Sequence, residues 1–318
     1  MAKTTSERVP LKTLLDTYGH TKGLKDGSLT SSRLRLEFDE IRPVSSAFGR
    51  MAETQDFDFS EMAIVTFMQA LSLDKPLVLL PAVVLNRFHH GSIISSVGGS
   101  IKGPADLDGK RIGVRAYTQT TGVWVRGIFH AEYGLDLDGI TNVTTEGGHL
   151  SEYVEPANVV RAPKGAKLRD MLVAGEIDAW IAGRDAPAVP EFRPVLENAD
   201  AASLEWFDRL KAFPINHMVT LSRAVVDRHP WLPAELFELL KRGKEQYVDE
   251  LTNKRDVTEP DELFRQNLLR NGIDPLPFGV EALRRSLEVV ADYAFAQKLI
   301  PKKFAVDELF DSRTRSLA

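Results

Sequence analysis

The run KRIGVRAYTQTTGVWVRG (Lys110–Gly127) decides the fold. Its first seven residues put Ile112, Val114 and Ala116 on one face, the two-residue period of a strand. From Gly122 the period changes. Val125, Phe129 and Tyr133 stand at i, i+4 and i+8, one stripe of a helix that Gly134 would end. Between strand and helix lie Tyr117, Thr118, Gln119, Thr120 and Thr121, a polar loop that core packing does not call for. At such a junction the first N–H groups of the helix point outward and carry partial positive charge. An anion is the natural guest, and the hydroxyls and amide of the loop add donors. Trp124 and Arg126, read as first-turn residues, would suit a flat carboxylated ligand. The competing reading makes Thr120 or Thr121 a cap, Trp124 a core residue and Arg126 a solvated one.

The same alternation runs outward in both directions. PLKTLLD (Pro10–Asp16), RLRLEF (Arg33–Phe38) and FDFSEM (Phe57–Met62) read as strands, and AIVTFMQALS (Ala63–Ser72) as a helix. KPLVLLPAVV (Lys75–Val84) is an unbroken apolar run, as in a buried strand of a parallel sheet. LRDMLVAGEIDAWIAG (Leu168–Gly183) is a helix, a stop at Gly175 and a strand. After FPINHMV (Phe213–Val219) the chain turns mainly helical. Two βα halves and a helical return predict an α/β protein of two lobes.

Composition narrows the function. The chain has 318 residues, too many for one small core. Its net charge of -5 and the lack of a basic, aromatic-interleaved cluster argue against nucleic acid. It has no cysteine, which excludes disulfides, thiolate metal sites and cysteine nucleophiles. No apolar run is long enough to span a membrane and no secretory signal is visible, so a cytoplasmic location is expected. No His-rich ligand spacing, P-loop or G-x-S-x-G elbow occurs, so no metal and no cofactor is expected.

DLDGKRIGV (Asp106–Val114), followed by strand, polar loop and helix, looks like the second lobe of type II solute-binding proteins. YTQTTGVWVRG (Tyr117–Gly127), FPINHMV, DRHPWL (Asp227–Leu232), PFG (Pro277–Gly279) and DELF (Asp307–Phe310) resemble the 4,5-dihydroxyphthalate decarboxylases, enzymes built on that fold. The resemblance implies a two-lobed type II periplasmic-binding-protein-like fold with a ligand cleft between lobes. Residues 1–107 with 215–318 would form the first lobe and 108–214 the second. Carried over by motif, Tyr117, Thr120, Trp124, Arg126 and Gly127 match the family's loop, Pro214 and His217 its FPI-H segment, and Glu61 and Met62 its -EM- turn. Tyr18 and His20 lie in a first loop that often carries a tyrosine and a basic residue. Two places depart: His90-Gly91-Ser92 stands where Arg-His-Ser is common, and GRDAP (Gly183–Pro187) carries Asp185 as an insertion.

The implied reaction removes CO2 from a dihydroxylated aromatic dicarboxylate. It needs an acid at the ring carbon, a base at a ring hydroxyl and a clamp for the second carboxylate. Of seven histidines, His217 is the first choice for proton donor and His20 the second, with His90 weakly placed in the cleft. His130, His149 and His229 read as structural or surface residues. Glu61 could orient a histidine, take the hydroxyl proton or merely favour a helix N-terminus. Arg126 or Arg184 could grip a carboxylate. The alternative is a binding protein that hands an aromatic acid to a transporter, since one fold serves both. A relative of the thiamine-pyrimidine synthases is disfavoured by the missing cysteine. VEALRRSLEVVADYAFAQKL (Val280–Leu299) has helical apolar spacing, as lobe core or as the face of a homo-oligomer, core being the preferred reading.

Overall fold

The alternation of apolar strands and helices folds into two sheets. A computed structural model describes residues 8–183, 189–253 and 259–318. The chain begins with β1 (Val9–Leu14), β2 (Leu34–Phe38), β3 (Phe59–Ala63) and β4 (Leu77–Asn86). It then forms β5 (Ile93–Ser96), β6 (Arg111–Val114), β7 (Thr141–Thr144), β8 (Val159–Arg161), β9 (Ala179–Ile181) and β10 (Phe192–Pro194). Last comes β11 (Ile215–Ser222). The first sheet runs β2-β1-β3-β11-β4 and the second β10-β5-β9-β6-β7-β8. β1 is parallel to β2 and β3, whereas β11 runs antiparallel between β3 and β4. In the second sheet β6, β7, β8 and β9 are parallel and β5 is antiparallel to its neighbours.

The second sheet already includes β5. The chain therefore enters it at Ile93, not after residue 107 as the motif order suggested. IISS (Ile93–Ser96) is four residues beside a glycine-rich stretch, too short to show a period of its own. The chain returns to the first sheet at Ile215. The two crossings touch: Arg87 N–H donates to the Pro214 carbonyl at 3.2 Å.

The helices are α1 (Lys22–Asp26), α2 (Phe48–Thr54), α3 (Ile64–Ser72), α4 (Thr120–Tyr133), α5 (Leu168–Val173) and α6 (Ala199–Leu210). α7 (Arg223–Arg228), α8 (Leu232–Asn253), α9 (Glu259–Asn271) and α10 (Val280–Ala296) follow. α4 begins at Thr120, two residues before the expected Gly122, and ends at Gly134 in the left-handed conformation that glycine adopts freely. α10 buries Leu283, Leu287, Val290, Ala291 and Ala294 along one stripe. That stripe joins a core that also holds Met62, Val114, Trp124, Ile128 and Met218, so α10 ties both sheets together. Each fully buried large aliphatic or aromatic side chain there contributes roughly 1.5–3 kcal/mol. A Cβ at Gly127 of α4 would lie 2.1 Å from the Tyr293 ring of α10, so only glycine allows this approach. Among the described residues no helix is long and apolar enough to cross a membrane.

Candidate functional site

The site is built first on β3 and β11. These strands pair antiparallel, with Val219 opposite Glu61 and His217 opposite Ala63. Glu61 and His217 are therefore diagonal neighbours on one face of the sheet. The β11–β4 pairing slips on both sides of Met218, the kind of local irregularity that re-aims a side chain beside it. His217 Nδ1 lies 2.6 Å from Glu61 Oε1. The same oxygen accepts from the Tyr18 hydroxyl at 2.6 Å, and Oε2 accepts from Asp16 N–H at 3.0 Å. Glu61 is fully buried. Burial alone would raise its carboxyl, but the bonds from His217, Tyr18 and Asp16 outweigh it and hold the group below its ordinary value. An ionised Glu61 fixes the tautomer: Nδ1 of His217 is the donor, and Nε2 is left for the cleft. The side chain of His217 is 16% exposed, enough to meet a ligand.

His20 lies behind this group. Its ring stacks on Tyr18 at 5.4 Å and 2°, and Tyr247 closes the other side at 5.9 Å. Burial pushes its imidazole down to about 4, so it is neutral and props Tyr18. In front, the Phe48 ring meets two imidazoles edge-on: His217 at 5.1 Å and His149 at 5.7 Å. His149 is half-buried and bonded through Nδ1 to Thr66 Oγ1 at 2.8 Å. It is not the surface histidine that EGGHL (Glu146–Leu150) suggests.

The second lobe supplies the α4 N-terminus. The first helical bond runs from Val123 N–H to Gln119 O at 3.0 Å, and no cap side chain serves the amides of Thr120, Thr121 and Gly122. Thr118, Thr120 and Thr121 are buried, and the Thr120 hydroxyl and Gln119 Oε1 have no partner. Thr121 Oγ1 receives Arg87 Nη2 at 3.2 Å and Asn216 Nδ2 at 3.4 Å. Asn216 precedes His217 on β11, so the open helix end and the Glu61–His217 pair meet at one strand. Thr118 is joined to the other side as well: a Cβ at Gly148, next to His149, would lie 3.3 Å from Thr118 Oγ1. Arg87, at a lobe crossing, thus reaches the open end of α4 through Thr121.

Four of the expected residues are buried among protein partners. Trp124 is fully buried, donates to the Ile215 carbonyl at 2.8 Å and stands edge-on to Trp206 and Tyr293. Arg126 is 1% exposed; it donates to Gln297 Oε1 at 2.8 Å and to the Tyr117 carbonyl at 2.6 Å. Tyr117 lies under that guanidinium at 4.2 Å and donates to the Gln297 carbonyl at 3.0 Å. The reason is the early start of α4, which carries Trp124 and Arg126 past the first turn and into the contact with α10. His90, in the turn after β4, is 1% exposed and packs edge-on against Phe88 and Trp206, with both ring nitrogens unpartnered. Arg184 lies outside the described residues. Among the described residues no group of three or more acidic, histidine or cysteine side chains is placed to hold a metal.

Two stability results follow. Arg126→Ala removes the bonds to Gln297 and the Tyr117 carbonyl, a longer one to Asn142 Oδ1 at 3.5 Å and the stack on Tyr117, and is expected to cost about 2–3 kcal/mol in urea unfolding; an unchanged midpoint would contradict a structural Arg126. The second concerns acid. His20 and His90 are both pushed by burial from 6.5 to about 4. The unfolded chain therefore binds protons that the folded chain declines. Stability should fall from about pH 6.5 to about pH 4, by up to about 1.4 kcal/mol per pH unit for each histidine. Glu61 acts in the same direction, because a depressed carboxyl stabilises above its unfolded value and loses that stabilisation as pH falls through its folded one. Urea midpoints between pH 7.5 and 5 check this; a flat profile would contradict it.

Two lobes, each with its own sheet and with a polar site where they meet, define the periplasmic-binding-protein fold. The solved structures agree. The aliphatic sulphonate-binding protein SsuA of Escherichia coli matches with a TM-score of 0.57 at 14% identity, covering 97% of this chain and 99% of that one. The desulfurization enzyme DSZB matches with a TM-score of 0.57 at 16% identity, covering 95% and 96%. In sequence the chain is similar to the 4,5-dihydroxyphthalate decarboxylase of Comamonas testosteroni, 29% identical over 287 residues that cover 83% of each. It is also 29% identical over 194 residues to the enzyme of that name from Pseudomonas putida, covering 55% of this chain and 75% of the relative. No protein-family model matches the chain.

Proposed function

We propose that the chain is a decarboxylase that converts a dihydroxylated aromatic dicarboxylate, 4,5-dihydroxyphthalate, to protocatechuate and CO2. The observation that carries this reading is the buried Glu61, which holds both the Tyr18 hydroxyl and His217 Nδ1 at 2.6 Å beside the open end of α4. A protein that only binds an anion needs the helix end and the hydroxyls; it has no use for a buried carboxylate–histidine pair. The curated similarity to two decarboxylases supports the same class.

In this reading one ligand carboxylate lies on the amides of Thr120 and Thr121 with Thr118, Gln119 and Arg87 around it. His217, protonated at Nε2 and stabilised by Glu61, delivers that proton to the ring carbon bearing the other carboxylate. Electron density from the hydroxyl para to that carbon assists. The carbon–carboxylate bond then breaks, its electron pair restores the aromatic ring, and CO2 leaves. Glu61 balances the charge of the imidazolium before the transfer, and Tyr18 keeps the carboxylate in place. His20 is a support for Tyr18 rather than a second proton donor. The chemistry asks for an acid, a base and a clamp, so turnover is expected to persist with a chelator present. The test is CO2 release and protocatechuate formation from 4,5-dihydroxyphthalate, with phthalate itself bound but unreacted because it lacks the assisting hydroxyl. Tight binding of both without CO2 from either would overturn the enzyme and favour a binding protein.

A further inference from the structure

The run from Thr145 to Tyr153 leaves the second sheet after β7 and lies on the first lobe. Its root is fixed to the second lobe, where Thr145 and Glu146 N–H donate to the Arg115 carbonyl at 3.1 and 2.8 Å. Its middle is fastened to α2, α3 and the turn before β4. Ser151 N–H and Oγ donate to Glu53 Oε1 at 2.7 and 2.9 Å. Lys75 Nζ bonds both Glu53 at 2.8 Å and Glu152 at 2.5 Å. Lys75 is 16% exposed at the side chain, so this junction is better shielded than an ordinary surface pair. Inside the junction, His149 bonds Thr66 and meets the Phe48 ring that also meets His217. A Cβ at Gly49 of α2 would lie 3.1 Å from the His149 carbonyl, so glycine permits the strap to sit this close.

We propose that this segment is a strap between the lobes which delivers His149 to the site as the proton acceptor for the ligand hydroxyl para to the departing carboxylate. The assignment rests on the decarboxylase reading. Nδ1 of His149 is occupied by Thr66, so Nε2 is the atom offered to the ligand. Burial lowers this imidazole to about 4, with Arg115 and His217 adding to the effect, so its ring is neutral and its Nε2 lone pair unprotonated; the negative charge of a bound dicarboxylate then raises its basicity toward what the transfer needs. The environments of the two histidines thus differ in kind: His217 is paired with an ionised carboxylate, and His149 with a neutral hydroxyl. In the step itself the hydroxyl proton passes to His149 Nε2 while its electron pair stays on oxygen and feeds the ring. His217 protonates the carbon, and CO2 departs. The proton on His149 then returns to the phenolate of the product, and solvent reprotonates His217.

The experiment compares wild type, His149→Asn, His149→Ala and Gly49→Ala, measuring kcat for 4,5-dihydroxyphthalate and Kd for phthalate by calorimetry. His149→Asn can still hydrogen-bond but cannot take a proton; kcat is expected to drop roughly 10²-fold with Kd within a few-fold of wild type. Gly49→Ala displaces the strap with His149 chemically intact, and kcat is expected to fall less, roughly tenfold. Exogenous imidazole should restore part of the activity of His149→Ala, an effect that a purely structural histidine would not give. Full turnover by His149→Asn, or a loss of kcat matched by an equal loss of affinity, would overturn the assignment. Failure of wild type itself to release CO2 would instead overturn the decarboxylase reading, and this role with it.

Discussion

His217→Ala is expected to lower kcat for 4,5-dihydroxyphthalate by roughly 10²–10⁴-fold. Ligand affinity should change little, because the proposed carboxylate contacts are to Thr118–Thr121 and Arg87 rather than to His217. The split between kcat and Kd is the informative part. Loss of a residue that supplied only uniform binding would raise KM and spare kcat. Steady-state kinetics with calorimetry on the same preparations separates the two. His217→Ala with wild-type kcat would remove the proton donor from the account, whatever its effect on KM.

Glu61→Ala is expected to be damaging twice over. Its carboxylate accepts from Tyr18, His217 and Asp16 in a fully buried setting. Truncation leaves those donors without an acceptor, at roughly 1–3 kcal/mol for each that stays buried. Glu61→Gln keeps the volume but presents an amide where only an acceptor fits, so at least one of the three bonds is lost. It is expected to fold with reduced stability and to lose turnover on the scale of His217→Ala, because His217 then has no counter-charge for its protonated form. The double substitution should cost scarcely more than either single one, since the two side chains act as a unit. Fully additive losses in kcat would show that Glu61 and His217 work separately.

The strand–loop–helix junction at Lys110–Gly127 was legible because a change of period and a terminal glycine both act within a few residues. The open end of α4, with Thr118–Thr121 around it, followed from the same local rules. Trp124 and Arg126 mark where local rules stop. Their residue types suit a ligand equally well, and what withdraws them is Gln297 and the Ile215 carbonyl, 171 and 91 residues away in the chain. His149 is the converse case. EGGHL is polar and glycine-rich, so it reads as exposed, yet Thr66 and Phe48 of the other lobe cover it. β5 escaped because four residues are too few to show a period, and its place in the second sheet is set by pairing with β9 and β10. Glu61 was visible as a carboxylate at a turn. Its hold on His217 depends on the register of β3 with β11, 156 residues later, which no local pattern encodes.

The most direct test of ring-carbon protonation is turnover of 4,5-dihydroxyphthalate by the wild-type protein in D2O, with proton NMR of the product. Protocatechuate carrying one deuteron at the vacated carbon is expected, formed at a rate that His217→Ala and Glu61→Gln both suppress. Ligand recovered unchanged from saturated protein, or CO2 release at an equal rate in those variants, would contradict it.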